Sequence, residues 1–196
     1  MPNHEKPAKT YPKASPAAIK WVDLMKEAAD LGVRFYEKDN WFWRWLEIVL
    51  SFLGNYSFVN GYIQTIGRFI FLTPGWIEEN EMTPFGCNVL AHELEHVRQF
   101  KSFGLGSPTL GILPMGFYYC LFPLPIGFCW GRWDMESQAN LVGERTEAEV
   151  TGHVIEPNDR TIQHIYDEMT GPSYLWCMSL AKGYVRRWLN RHIAGL

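Results

Sequence analysis

The hydrophobic pattern predicts an α+β fold: mostly helices, with one small antiparallel sheet beside a central helix. Two observations predict the helices. Apolar residues recur at helical spacing in several stretches, and several of these begin at a capping residue followed by proline or by an apolar run. A third observation predicts the sheet. Residues 56–72, "YSFVNGYIQTIGRFIFL", lose the helical period and end in a run of strand formers. The chain has 196 residues, 47% hydrophobic and 20% charged, which is the composition of a single folded domain with a real core. A net charge of −3 leaves no basic footprint, so no nucleic acid partner is expected.

The elements follow in order. Residues 1–14 are polar and proline-rich and read as a flexible arm; they lack the apolar core and cleavage site of a signal peptide. Ser15-Pro16 reads as an N-cap with proline at the first helical position, and Trp21, Leu24, Met25, Ala28 and Leu31 follow on one face. A second helix starts at Asp39 or Asn40, with Trp41, Phe42, Trp43 and Trp45 expected in the core. Asn60-Gly61 is a hairpin signal, and Phe69–Leu72 form a strand that stops at Thr73-Pro74-Gly75. Thr83-Pro84 restarts helix, with Phe85, Val89, Leu94 and Val97 on its apolar side and Gly104 and Gly106 at its end. A further helix runs from near Arg132 to about Val150, and two more follow Pro157 and Pro172. Residues 15–196 thus form a single domain.

Residues 102–131 carry no charged side chain, but Pro108, Pro114, Pro123 and Pro125 argue against one membrane-spanning helix. A buried apolar excursion is expected, packed beside the first two helices. A membrane or large-assembly contact through 41–53 and 102–131 is the alternative. Cys87, Cys120, Cys129 and Cys177 lack metal-site spacing and read as free thiols of a reducing compartment. A cytoplasmic location, or a place in a phage particle, is expected.

The chemistry lies in "AHELEHVRQF", residues 91–100. His92 and His96 stand at i and i+4, so one helix face can aim both imidazoles at one ion, and imidazole suits zinc. Glu93, beside the first of them, can take a proton from a water that the metal acidifies. The pattern supports hydrolysis of a peptide bond.

"HELEH" resembles the active-site helix of the zincin metalloproteases, and "RFIFL" resembles their edge strand. The resemblance implies that Arg68, Phe69, Ile70 and Phe71 pair with an extended substrate backbone. The metzincin extension, a glycine and a third histidine, is missing after His96. The chain is similar instead to gluzincins, and in compactness to small bacterial and phage-encoded metallopeptidases. Gluzincins take their third ligand from a glutamate on a later helix. "RWDMESQANLVGE" offers Glu136, and Asn140 stands where many gluzincins carry an aspartate that braces a zinc histidine. Glu136, Ala139, Asn140 and Gly143 share one helical stripe whose small members permit close approach to the metal helix. The resemblance implies Zn2+ as cofactor and a peptide or protein as substrate. His153, His164 and Tyr174 are candidates for stabilising the oxyanion. A structural or assembly protein that keeps the fold, or a zinc amidase acting on cell-wall peptides, is the alternative.

Overall fold

The computed structural model describes residues 15–51, 63–121, 130–155, 160–170 and 182–193. The 1–14 arm, the Asn60-Gly61 turn and Tyr174 lie outside them. The described elements are α1 (Pro16–Asp30), β1 (Arg34–Glu37), α2 (Trp41–Ser51), β2 (Gln64–Ile66), β3 (Phe69–Leu72), α3 (Trp76–Asn80), α4 (Pro84–Phe103), α5 (Ile112–Leu121), α6 (Trp130–Thr151), α7 (Arg160–Thr170) and α8 (Lys182–Ile193). The fold is mostly helical with a small sheet, as the pattern predicts.

The caps account for the helix starts. The Ser15 hydroxyl accepts from Ala18 N–H at 3.1 Å, and the Thr83 hydroxyl accepts from Gly86 N–H at 2.9 Å. Asn40 Oδ1 accepts from Phe42 N–H at 3.1 Å and opens α2. Helix α4 closes at Gly104. Trp21, Leu24 and Ala28 of α1 are buried against Leu90, Ala91, Leu94 and Val97 of α4, with Ile70 and Leu72 of β3. Phe85, expected on that apolar side, is instead exposed.

The sheet is mixed, with strand order β1-β3-β2. Strand β1 pairs with β3 in parallel, and β2 pairs with β3 antiparallel, Thr65 lying opposite Ile70. The antiparallel hairpin turns at Gly67-Arg68, with Gly67 at φ 64°, where a type II′ turn calls for glycine. Strand β3 is therefore central. Arg68, Phe69, Ile70 and Phe71 are not the substrate-facing edge; within the described sheet β2 is the edge on that side. The reason is composition: Phe-Ile-Phe-Leu is a continuous apolar run, suited to a strand covered on both faces.

Hydrogen-bond phase fixes what the β2 edge presents. Arg68 and Leu72 direct their carbonyls to β1, accepting from Arg34 N–H and Lys38 N–H at 3.0 Å each. Main-chain groups alternate sides along a strand, so Phe69 and Phe71 bond to Ile66 and Gln64. Thr65 and Ile70 form a non-hydrogen-bonded pair. The N–H and C=O of Thr65 point away from β3, off the edge. Its side chain shares a face with Ile70, the face that packs on α4.

Helix α6 runs antiparallel to α4. Near one end Gln99 Nε2 donates to Met135 O at 3.0 Å; near the other Asn88 Nδ2 donates to Glu147 at 2.7 Å and to Glu144 at 3.3 Å. Ala139 is fully buried between the helices. A Cβ on Gly143 would stand 2.4 Å from Asn88 Oδ1 and 2.9 Å from its carbonyl oxygen. Gly143→Ala is therefore expected to destabilise the protein by about 1–3 kcal/mol through overpacking, read from denaturant unfolding.

Two expectations of burial are corrected. Of the α2 aromatics Trp43 is buried, its ring tilted by 55° against that of Phe71 with centroids 4.9 Å apart, while Trp41, Phe42 and Trp45 are exposed. Among the described residues the uncharged stretch contributes α5, whose main packing is on α4 and α6 and not on the first two helices. Its Met115 is buried with Phe100 and Met135, whereas Leu110, Leu113 and Phe117 are exposed. Lack of charge does not tell which side of a helix is covered. Pro114 sits in the first turn of α5, where a missing N–H breaks no helical bond. No described helix is long and apolar enough to cross a membrane. Cys87 is a free buried thiol; burial first, then Glu147, pushes it up to about 11 against the pull of Lys20.

Candidate metal centre

Helix α4 brings His92 and His96 to one face, and α6 brings Glu136 across to them. His92 Nε2 and His96 Nε2 lie 3.1 Å apart. Glu136 Oε2 lies 3.6 Å from the first and 3.4 Å from the second. Ligands about 2.0–2.1 Å from a tetrahedral ion sit roughly 3.3 Å from one another, so the three donors already have the spacing such an ion needs. Two imidazoles and a carboxylate are also a donor set found in catalytic zinc sites, which leave a fourth position open. The residues fit the metal that the motif implies. A His-His-Glu cluster able to chelate a metal ion is present.

The tautomer of His96 follows from its neighbours. Gln99 Nε2 is committed to Met135 O at 3.0 Å, which turns Gln99 Oε1 toward His96 Nδ1 at 2.9 Å. An amide oxygen only accepts, so His96 Nδ1 carries the proton and donates it. In the neutral ring the Nε2 lone pair then faces the cluster. This is the brace that a metal-ligating histidine requires. Sequence reasoning assigned that support to Asn140, one turn along α6 from Glu136. For His96 it comes from Gln99. The signal was legible: an amide three residues after a ligand, on the same helix face.

Glu93 is buried, with 6% of its surface exposed, and faces the sheet. Its carboxylate accepts a hydrogen bond from the Thr65 hydroxyl at 2.6 Å. A cavity of about 410 Å³ opens over the cluster. Gln64, Thr65 and Ile66 of β2 form one wall; Phe100 of α4 with Ile112, Met115 and Gly116 of α5 form an apolar wall opposite; His92, Glu93, His96 and Glu136 line it as well. Arg68, Phe69, Ile70 and Phe71 do not line it. His153 and His164 are exposed and do not line it either.

In the metal-free protein burial by itself would lower the His96 pKa, but the charge and hydrogen bond of Glu136, with Glu93 and Gln99, outweigh burial and hold it at about 9. Burial would raise Glu136, yet His96 and His92 together pull it well below the usual 4.5. The raised His96 contributes stability fully below about 6.5, its ordinary value, and loses it as pH rises through about 9. The lowered Glu136 contributes stability above about 4.5, lost as pH falls further. The chelated protein should therefore melt at progressively lower temperature from pH 6.5 to 9. Calorimetry of Glu136→Gln should show that decline removed. Because metal and proton compete for His96, zinc should bind more tightly across the same rise in pH.

Comparison with family models, with curated proteins and with solved structures finds no match. The geometry speaks for itself at the level of the motif: His92-Glu93-x-x-His96, with Glu136 brought in from a later helix, matches the zinc-binding pattern of the gluzincins.

Proposed function

We propose that this protein is a zinc-dependent peptidase that cleaves extended polypeptide. One observation carries the reading: the His-His-Glu cluster lines a cavity beside a sheet edge, with a buried carboxylate, Glu93, between the two. Bound zinc would supply a Lewis acid that polarises the scissile carbonyl and acidifies a water. His92, His96 and Glu136 hold it. Gln99 keeps His96 in the ligating tautomer. Glu93 takes the proton of the attacking water and passes it to the nitrogen of the leaving amine. The Thr65 N–H and C=O, directed off the sheet, pair with the substrate main chain in place of the β3 residues expected from sequence. The wall of Phe100, Ile112 and Met115 excludes water and favours an apolar side chain next to the cleaved bond.

The test is digestion of an unfolded protein, such as reduced and alkylated casein, by the purified chain. Cleavage should stop with a zinc chelator and return when zinc is restored. Cleavage that persists through complete metal removal would contradict the proposal.

A further inference from the structure

Thr65 does two things at once in this fold. Its main chain points off the sheet edge, and its hydroxyl donates to Glu93 Oε2 at 2.6 Å. That is the one hydrogen bond of the Glu93 side chain among the described residues. We infer that Thr65 is a positioning residue, which sets the direction of the Glu93 carboxylate and transmits substrate docking on β2 to it. The inference rests on the peptidase reading.

The physical case begins with freedom. A glutamate side chain has several rotatable bonds, and holding it in one rotamer costs entropy that a contact must offset. An ionised carboxylate only accepts, so the hydroxyl must be the donor, and it engages one oxygen while leaving the other for a water in the cavity. Threonine suits this role. Its branched Cβ restricts χ1, and pairing opposite Ile70 fixes the strand, so the hydroxyl is held from the sheet rather than from the helix that bears Glu93. When Glu93 takes up a proton the hydroxyl can rotate and accept, so the contact survives both protonation states. A polypeptide that pairs with the Thr65 main chain immobilises the same residue that aims the base. Serine would keep the donor with a looser rotamer, and valine would keep the shape without the donor.

The experiment uses the full zinc-loaded chain and compares Thr65→Val and Thr65→Ser with wild type on an apolar peptide substrate. Thr65→Val is expected to lower kcat by about 10- to 100-fold, the cost of a misplaced catalytic group. KM and zinc content should stay near wild type, and Thr65→Ser should recover most of kcat. A second readout needs no activity. In the zinc-free chain, the effect of Thr65→Val on the urea midpoint should vanish when Glu93 is already alanine. An unchanged kcat in Thr65→Val, with Glu93-dependent cleavage intact in wild type, would overturn the inference and leave the peptidase reading standing. The same midpoint shift in both backgrounds would overturn it too. If wild type shows no Glu93-dependent cleavage, the peptidase reading fails and the inference falls with it.

Discussion

Replacing Glu93 by glutamine is expected to lower kcat by about 10²–10⁴-fold, the range of a lost general acid–base group, while the protein keeps its zinc. The division of labour in the site is the reason. The three donors that approach one another within ligand spacing are His92, His96 and Glu136, and Glu93 is not among them. Its carboxylate turns instead to Thr65 and the cavity. Glutamine keeps the size and an oxygen for the Thr65 hydroxyl, so the fold and metal should be untouched, but an amide cannot take the proton. The check is zinc content beside steady-state kinetics on one preparation. Lost zinc would make Glu93 a ligand or a structural residue, and retained turnover would remove it as the base.

Glu136→Ala should weaken zinc binding by more than the roughly 10–100-fold that losing an outer partner costs, because a ligand itself is removed. Glu147→Ala should leave zinc affinity near wild type. Both glutamates are on α6, but they are eleven residues apart, roughly 16 Å along the axis. The antiparallel packing puts Glu136 opposite His92 and His96, and Glu147 opposite Asn88, to which it is bonded at 2.7 Å. Competition with a chromogenic chelator measures both variants. The opposite order of affinities would overturn the ligand set and the helix register together.

The metal cluster was legible because its logic is local. His92 and His96 need only one helix, and the caps and glycines that bound that helix are readable one residue at a time. Glu136 needed a second helix, yet the stripe with Ala139 and Gly143 advertised a close approach, and Gly143 does meet Asn88. Legibility ended where pairing became non-local. Arg34–Glu37 is four residues long and pairs in parallel with a strand some thirty-five positions away, which nothing in its own pattern announces. Once that partner is added, Phe69–Leu72 becomes central and the edge passes to Gln64–Ile66, too short and polar to stand out as a strand. The described part of the uncharged stretch departs from the expected burial for a related reason. Composition reports that Leu113 and Phe117 are apolar, not that α5 turns Met115 inward and those two outward. Gln99 was missed although its place three residues after His96 was readable; what the sequence does not give is Met135 O, which claims the amide nitrogen and turns the amide oxygen to the ring.

The central claim is that one zinc ion sits between α4 and α6. Diffraction from crystals of the purified, unchelated protein, recorded on both sides of the zinc absorption edge, tests it most directly. The expected result is a single anomalous peak about 2.0–2.2 Å from His92 Nε2, His96 Nε2 and a Glu136 oxygen, with Glu93 outside the coordination sphere. Crystals grown with zinc present that show no peak there, or a peak held by other residues, would contradict it.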